Sequence, residues 1–252
     1  MKKILWRIGI GLAFLIVIAI IVVALFLDNI VKAGVEKVGP QITKVSVSLD
    51  EVHIGLLTGS AKVKGLVVGN PDGYKTTNSI TVGLAEVGIN PVSILSDKII
   101  VRSIRVESPE ITFEGGLGGN NLGKIMDNIN DVAQNGGPVS TNATVKAKPA
   151  RKIEVDDILI TGAKVNGTLV LFGGREVSLP SLPLPDIHLA NLGTGPDGIT
   201  ATDLTRAIFQ EITTATLKAV SSSAANLGKG AEKLGGSGLN KLKQGVGGLF
   251  GK

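Results

Sequence analysis

The sequence predicts a mainly β protein with a few helices, of the α+β class, that begins with an N-terminal transmembrane helix. An uncharged apolar run opens the chain, segments that alternate apolar and polar residues follow it, and two stretches of helical periodicity lie among those segments. The connections are rich in Gly, Asn, Asp and Pro, which is typical of short antiparallel strands. We therefore expect a curved, twisted antiparallel sheet, open as a short groove or half-barrel.

The apolar run extends from Ile8 to Leu27 without a charged residue. At about 1.5 Å per helical residue, its length matches a hydrocarbon core of roughly 30 Å. The cations of residues 2–7 precede it and Trp6 stands at an interfacial position, so the N-terminus is predicted to stay in the cytoplasm and the bulk of the chain to lie across the membrane. A cleaved signal peptide is the alternative, but the run is longer than a usual h-region and no small-x-small cleavage pair follows it.

Three alternating segments resemble one another, with starts near residues 47, 99 and 153. Each has apolar residues at i, i+2, i+5 and i+7, which fits two strand segments separated by a one-residue slip, as a β-bulge or a tight bend gives. A spacing of about fifty residues predicts a sheet extended by stacking similar units, although any bulged amphipathic hairpin would give the same pattern.

The apolar positions of these copies are the candidate inner face of the sheet. An aliphatic face left partly uncovered would accept lipid acyl chains at about 0.8 kcal/mol for each buried CH₂, whereas a covered one is an ordinary core. The candidate lipid-groove residues are Val47, Leu49, Val52, Ile54, Ile99, Val101, Ile104, Val106, Ile153, Val155, Ile158 and Ile160.

Two helices are predicted, near residues 121–134 and 202–220, each with apolar residues at helical spacing after a capping residue. The predicted organisation is a cytoplasmic flank and anchor at 1–28, a β-rich region at 29–135, a linker at 136–151, a third β repeat with its helix at 152–220, and a Gly/Lys-rich tail at 221–252.

The net positive charge is concentrated at the C-terminal end of the sequence, because the segment from Lys218 onward carries the whole net charge of +5. Apolar residues recur there at helix-like spacing between lysines, so the tail is predicted either to contact an anionic membrane or to act as a solubilising extension. The residues predicted to contact the membrane are Leu239, Leu242, Val246 and Phe250.

The sequence contains no recognisable set of catalytic residues. The chain has no cysteine, and its 3% of aromatic residues argues against base-stacking nucleic-acid modules. The stretch 118–124 has the spacing of a phosphate-binding loop, but Ile125 follows where Ser or Thr would hold Mg²⁺. Neither His53 nor His188 has a second histidine at ligand spacing. We expect no enzyme activity, no metal, no cofactor and no nucleic-acid partner.

The order of several motifs is more specific than any one of them. Asn70–Tyr74 is an "NPxGF"-like turn, Asn90–Leu95 an "SLL"-like bend, Ile99–Glu114 a strand pair interrupted by proline, and Gly119–Leu122 a helix start. In this order after a lysine-flanked anchor, they make the chain resemble the N-terminal region of AsmA-like proteins, which are related to TamB and other bridge-like lipid-transfer proteins. Tyr74 replaces the usual Phe, and the chain would be a short member of the family.

The resemblance implies a single-pass protein of the bacterial inner membrane whose periplasmic β-groove has an aliphatic concave face. The expected function is lipid handling or outer-membrane assembly in the cell envelope, with membrane lipid and other envelope proteins as partners. The alternative is a scaffold or adaptor that has the same sheet with a filled core and binds other envelope proteins.

Overall fold

The computed structural model describes residues 2–56, 58–135, 151–171 and 174–233. A long helix comes first, a sheet with one inserted helix follows, and a second long helix comes last. The elements are α1 (Lys2–Thr43), β1 (Val47–Ser48), β2 (Glu51–Gly55), β3 (Ser60–Gly69), β4 (Asn78–Ile89), a 3₁₀ turn (Pro91–Leu95), β5 (Lys98–Glu107), β6 (Glu110–Gly116), β7 (Gly119–Asn120), α2 (Asn121–Gln134), β8 (Lys152–Thr161), β9 (Lys164–Val170), β10 (Glu176–Pro183), β11 (Ile187–Leu192) and α3 (Ala201–Lys233).

Helix α1 is one continuous element, and its C-terminal part, residues 29–43, belongs to the region that the sequence predicted to be β-rich. It passes through Pro40 and ends before Lys44, whose φ of 58° reverses the chain. In the part of the chain whose side chains are described, no helix is found that is long and apolar enough to cross a membrane.

The eleven strands form a single sheet that is creased along one line across the strands. β5 and β6, β8 and β9, and β10 and β11 are each one long strand broken at this crease. The crease also passes between β1 and β2 and through the middle of β3 and β4. We call the two sides the β5 half (β2, Ser60–Lys64, Leu84–Ile89, β5, β8 and β11) and the β6 half (β1, Leu66–Gly69, Asn78–Val82, β6, β9 and β10). Together they form the predicted curled half-barrel.

Residues with positive φ produce the crease. Ser108 between β5 and β6 has a φ of 50°, and Gly162 between β8 and β9 has a φ of 64°. Backbone hydrogen bonds continue straight across the bend, from Ser108 N to Thr161 O at 2.8 Å and from Lys164 N to Pro109 O at 3.0 Å. The sheet therefore changes direction without leaving these backbone groups unpaired.

The second and third sequence copies pair with each other in register. Ile99 lies beside Ile153, and Ile104 beside Ile158. The predicted slip is found in the second copy, as a shift of register where β5 pairs with Gly88 and Ile89 of β4. The first copy pairs with β3 without such a shift. The strands of the two copies are parallel, however, so the prediction of an antiparallel sheet is wrong for β5–β8 and β6–β9, and the sheet is mixed. Corresponding residues of two similar strands can lie side by side along the whole length only if the strands are parallel.

The first copy does not extend this stack. Its strands β1 and β2 pair antiparallel with β3, which pairs antiparallel with β4, and β4 with β5. The first copy therefore runs opposite to the other two, at the edge of the sheet. Stacking of similar units holds for two copies and not for three.

Helices α2 and α3 begin at the predicted places. Asn120 caps α2 by accepting a hydrogen bond from Gly123 N at 2.9 Å, and α2 packs on β6 and β7. Thr200 caps α3, because its Oγ1 accepts from Asp203 N at 3.0 Å and donates to the Asp203 carboxylate at 2.7 Å. α3 continues to Lys233, so residues 221–233, predicted as tail, are helical. The tail residues predicted to contact the membrane lie outside the described residues: Leu239, Leu242, Val246 and Phe250.

The free edge of β1 and β2 is covered by three side chains of α1 spaced one turn apart. The Asp28 carboxylate accepts a hydrogen bond from Ile54 N at 2.9 Å, Lys32 Nζ donates to Asp50 O at 2.9 Å, and Glu36 accepts from Leu49 N at 3.1 Å. These side chains bind backbone groups that the last strand of a sheet would otherwise present to another chain.

We predict that Asp28→Ala combined with Glu36→Ala loosens this edge. Each lost hydrogen bond contributes about 1 kcal/mol, so the amides of residues 49 and 54 should exchange with solvent about fivefold faster. Hydrogen–deuterium exchange of the full chain in mild detergent measures this rate. Lys37→Ala, at an exposed position of the same helix, is the control. Unchanged exchange at both amides in the double variant would show that α1 does not protect the edge.

Candidate functional site

The inner face of the β5 half is aliphatic across its full width. Two adjacent rows of cross-strand neighbours run from β2 through β3, β4, β5 and β8 to β11. The first row is Ile54, Ala61, Val87, Ile104, Ile158 and Leu189. The second row is Val52, Val63, Ala85, Val106, Ile160 and Ile187. No polar side chain interrupts either row. Alternation within each strand does not by itself place the apolar residues of all six strands side by side.

The outer face of the same half carries charges that pair across the strands. Lys62 Nζ lies 2.9 Å from Glu86 Oε1, and Arg105 Nη2 lies 2.5 Å from Asp157 Oδ2. His188 Nε2 lies 2.5 Å from the other oxygen of Asp157. The hydrogen bond with His188, together with that of Arg105, lowers the pKa of the Asp157 carboxyl. The outer face is therefore a solvent-facing surface of ion pairs, and the two faces differ sharply in polarity.

Burial varies across the inner face of the β5 half. Val155, Ile158 and Ile160 on β8 and Ile187 on β11 are buried, and so are Val52, Ala61 and Ala85 on β2, β3 and β4. Along β5, and at Ile54, Val63, Val87 and Ile89, the side chains are only half-buried. We call this half-covered surface the aliphatic patch; it consists of Ile54, Val63, Val87, Ile89, Ile99, Val101, Ile104 and Val106.

The structure brings most of the predicted groove residues onto one face. All except Val47 and Leu49 lie on the inner face of the β5 half. Val47 is buried in the β6 half, and Leu49 is buried between β1 and β2. Those that lie in the patch are Ile54, Ile99, Val101, Ile104 and Val106, and those that are buried on the same face are Val52, Val155, Ile158 and Ile160. Ile153 is half-buried, and it packs against the buried core, as Val101, Ile104 and Val106 also do.

Three patch residues were missing from the predicted set, namely Val63, Val87 and Ile89. Their strands alternate in sequence, but they do not belong to the repeated copies. The pairing of β4 with β5 places Val87 beside Ile104 and Ile89 beside Val101. A search that assigned a face to every alternating strand would have included them.

A buried polar clamp in the β6 half holds the turn that follows β3. The carboxylate of Glu114 accepts hydrogen bonds from Lys75 N at 2.5 Å, Thr76 N at 2.9 Å and Thr76 Oγ1 at 2.8 Å. Asn121 Nδ2 donates to Asn70 Oδ1 at 2.8 Å, and Asn121 Oδ1 accepts from Glu114 N at 2.9 Å. Burial alone would raise the pKa of Glu114, but the hydrogen bonds from Lys75 and Thr76 lower it below its usual value.

The two histidines occupy solvent-facing positions far from the patch face. His53 Nδ1 lies 3.5 Å from Asp28 Oδ2, and His188 belongs to the ion pairs of the outer face. Both arrangements are carboxylate–imidazole pairs at exposed side chains. Neither histidine lies in the aliphatic rows.

No protein-family model matches the chain, and a search of the curated proteins finds no match.

Proposed function

We propose that this chain is a membrane-anchored protein of the bacterial cell envelope that holds lipid acyl chains on the aliphatic patch, in lipid handling or outer-membrane assembly. The observation that carries the proposal is an aliphatic face that spans the β5 half and is only half-buried along β5 and at neighbouring positions of β4. Each CH₂ of an acyl chain laid on this surface would contribute about 0.8 kcal/mol. Because the outer face is charged, an acyl chain is expected only on the inner face.

The exposed side chains of α1 support the proposed membrane anchor. Large apolar side chains along its first part are exposed, including Trp6 at 71%, Phe14 at 66% and Phe26 at 61%. An exposed apolar surface of this kind is unfavourable in water and favourable in a bilayer. With the cations of residues 2–7 on the cytoplasmic side, the sheet lies in the periplasm.

The clamp supports the resemblance to AsmA-like proteins. The residues that carry it, Asn70 in the turn, Glu114 at the end of the strand pair and Asn121 at the helix start, are distant in sequence but hydrogen-bonded in one cluster. A shared cluster gives a physical reason for these motifs to occur together and in this order. We therefore propose that the chain is a protein of this type.

Photo-crosslinking in living cells tests lipid binding on the full chain. We expect p-benzoylphenylalanine at Ile104 or Val87, both in the patch, to attach to phospholipid on irradiation, and mass spectrometry of the purified protein identifies the adduct. The same group at Lys62, on the outer face, should give no lipid adduct. The group at Ile129, fully buried on α2, should crosslink only to protein.

Two patch positions keep the test informative if one substitution disturbs the fold. If a folded protein crosslinks only to peptides at both positions, the patch is covered by protein and lipid binding is excluded there. That result would favour the scaffold alternative. Pairing through the edge of β10 is disfavoured for such a scaffold, because Pro180 lies within that strand and Pro183 ends it.

A further inference from the structure

The direction of α1 defines which end of the sheet faces the anchor. α1 runs antiparallel to β1 and β2, since Gly39 lies against Val47 and Asp28 is bonded to Ile54 N. The apolar run ends at Leu27, one residue before Asp28. It therefore leaves the sheet at the Gly55 end of β2, which is the end of the β5 half away from the crease.

Two turns project at this end. The β2–β3 turn passes through Leu56, and the 3₁₀ turn after β4 packs beside it, with Ile89 N donating to Gly59 O at 2.6 Å. Val92 at the top of the 3₁₀ turn is 80% exposed, the highest value among the large apolar side chains that the structure describes.

The 3₁₀ turn is held firmly in the conformation that exposes Val92. Ser93 Oγ donates to Asn90 O at 2.6 Å and accepts from Ile100 N at 2.9 Å, and Asn90 Oδ1 accepts from Val92 N at 3.2 Å. An apolar side chain presented to water by a well-bonded turn gains no stability in the isolated protein. Its exposure is favourable if another apolar medium lies against it.

A cation lies beside the exposed turn. Arg151, exposed and immediately before β8, donates from Nη1 to Ile94 O at 2.7 Å. Lys152, the first residue of β8, is exposed as well. Apolar side chains flanked by cations suit the boundary between acyl chains and anionic headgroups, where each cation contributes about 1 kcal/mol.

The level of the bilayer surface follows from simple lengths. Leu27 lies about 1.5 Å along the helix from Asp28, so the end of the apolar run is nearly level with Ile54. The β2–β3 turn extends beyond Gly55 at least to Leu56, at about 3.3 Å per residue. The tips of both turns therefore reach the interfacial region, which is roughly 5–8 Å thick on each side of the hydrocarbon core.

We propose that Leu56, Val92, Ile94 and Arg151 form a rim that rests in the headgroup region of the leaflet that α1 enters. The rim brings the adjacent end of the aliphatic patch to the membrane surface, where an acyl chain can pass between leaflet and patch. This inference rests on the proposed membrane anchor, and its partner is an anionic phospholipid bilayer.

Depth-dependent quenching tests the rim on the full chain. Trp6 is the single tryptophan, so Trp6→Phe with Val92→Trp places one fluorophore on the rim. In vesicles of phosphatidylethanolamine and phosphatidylglycerol, lipids brominated near the headgroup should remove about half of its emission, as expected for interfacial burial. Trp6→Phe with Leu117→Trp is the control, because Leu117 is exposed at the opposite end of the sheet.

Three outcomes contradict the proposal in distinguishable ways. If the wild-type Trp6 is quenched but the tryptophan at 92 is not, the anchor stands and the rim is wrong. If Trp6 itself is not quenched, the anchor is wrong and the rim fails with it. Equal quenching at 92 and 117 would show that the sheet lies on the membrane without the proposed orientation. Substitution at 92 leaves the core untouched, because this side chain is largely in solvent.

Discussion

Gly167→Ala should prevent the sheet from forming its β6 half. Gly167 has a φ of 136°, which L side chains rarely adopt, and a Cβ added there would lie 1.9 Å from the carbonyl oxygen of Phe113 in the neighbouring strand. Phe113 is fully buried, so this carbonyl cannot move aside without disturbing the core. Backbone strain and steric overlap together should cost more than about 4 kcal/mol. Urea unfolding of the full chain in mild detergent, followed by circular dichroism, measures this loss.

Gly83→Ala provides the matched control. Gly83 also lies in a strand, but a Cβ added there would have no atom within 4 Å. We expect its unfolding free energy to stay within about 0.5 kcal/mol of the wild type. Comparable stability of the Gly167 and Gly83 variants would mean that β6 and β9 do not approach as closely as the structure places them.

The fold could be predicted from the sequence where the signal is local. Alternation located the strands of β5 and β8, and apolar spacing with asparagine caps located α2. The slip between Val101 and Ile104 is also visible in sequence, because a bulge moves the apolar phase by one residue. Strand direction could not be read this way. Alternation is identical in parallel and antiparallel strands, so the pairing of Ile104 with Ile158 depends on how the chain returns between them.

The candidate site was predictable as a face and not as a boundary. The repeated copies identified Ile104 and Ile158 as inner residues, and the structure places them side by side. Ile158 is nevertheless buried, whereas Ile104 beside it is half-buried. Burial of this kind depends on packing between distant segments, which periodicity within a strand does not report.

The clamp around Glu114 had no sequence signal of its own. Thr76, which donates to Glu114, and Asn70, which accepts from Asn121, are both more than thirty residues away from Glu114 in sequence. A single glutamate in an alternating strand is normally solvent-facing. Phe113, the preceding residue of the strand, is buried. The Glu114 carboxylate accepts its hydrogen bonds only when the turn after β3 folds over it. The motifs that carry the resemblance include Asn70 and Glu114 but give neither residue a physical role.

Glu114→Ala should lower the free energy of unfolding by about 3–5 kcal/mol. The substitution removes a carboxylate that accepts three hydrogen bonds and leaves the amides of Lys75 and Thr76 without their partner beside the core. Glu110→Ala, at an exposed position of the same strand, should cost within about 0.5 kcal/mol. Urea unfolding of the full-length variants in the same detergent gives both values. A loss for Glu114→Ala as small as that for Glu110→Ala would contradict the clamp.

The same carboxylate makes part of the stability depend on pH, and Glu114→Gln isolates that part. Because the folded state lowers the pKa of Glu114, the ionised carboxylate stabilises the protein at pH values above its unfolded pKa of about 4.3. This contribution is lost as the pH falls through the lower folded pKa. The difference in stability between wild type and Glu114→Gln should therefore be constant from pH 6 to about pH 5 and shrink below about pH 4. A difference that grows on acidification would mean that Glu114 is protonated in the folded protein, and that its hydrogen bonds with the turn are those of a neutral acid.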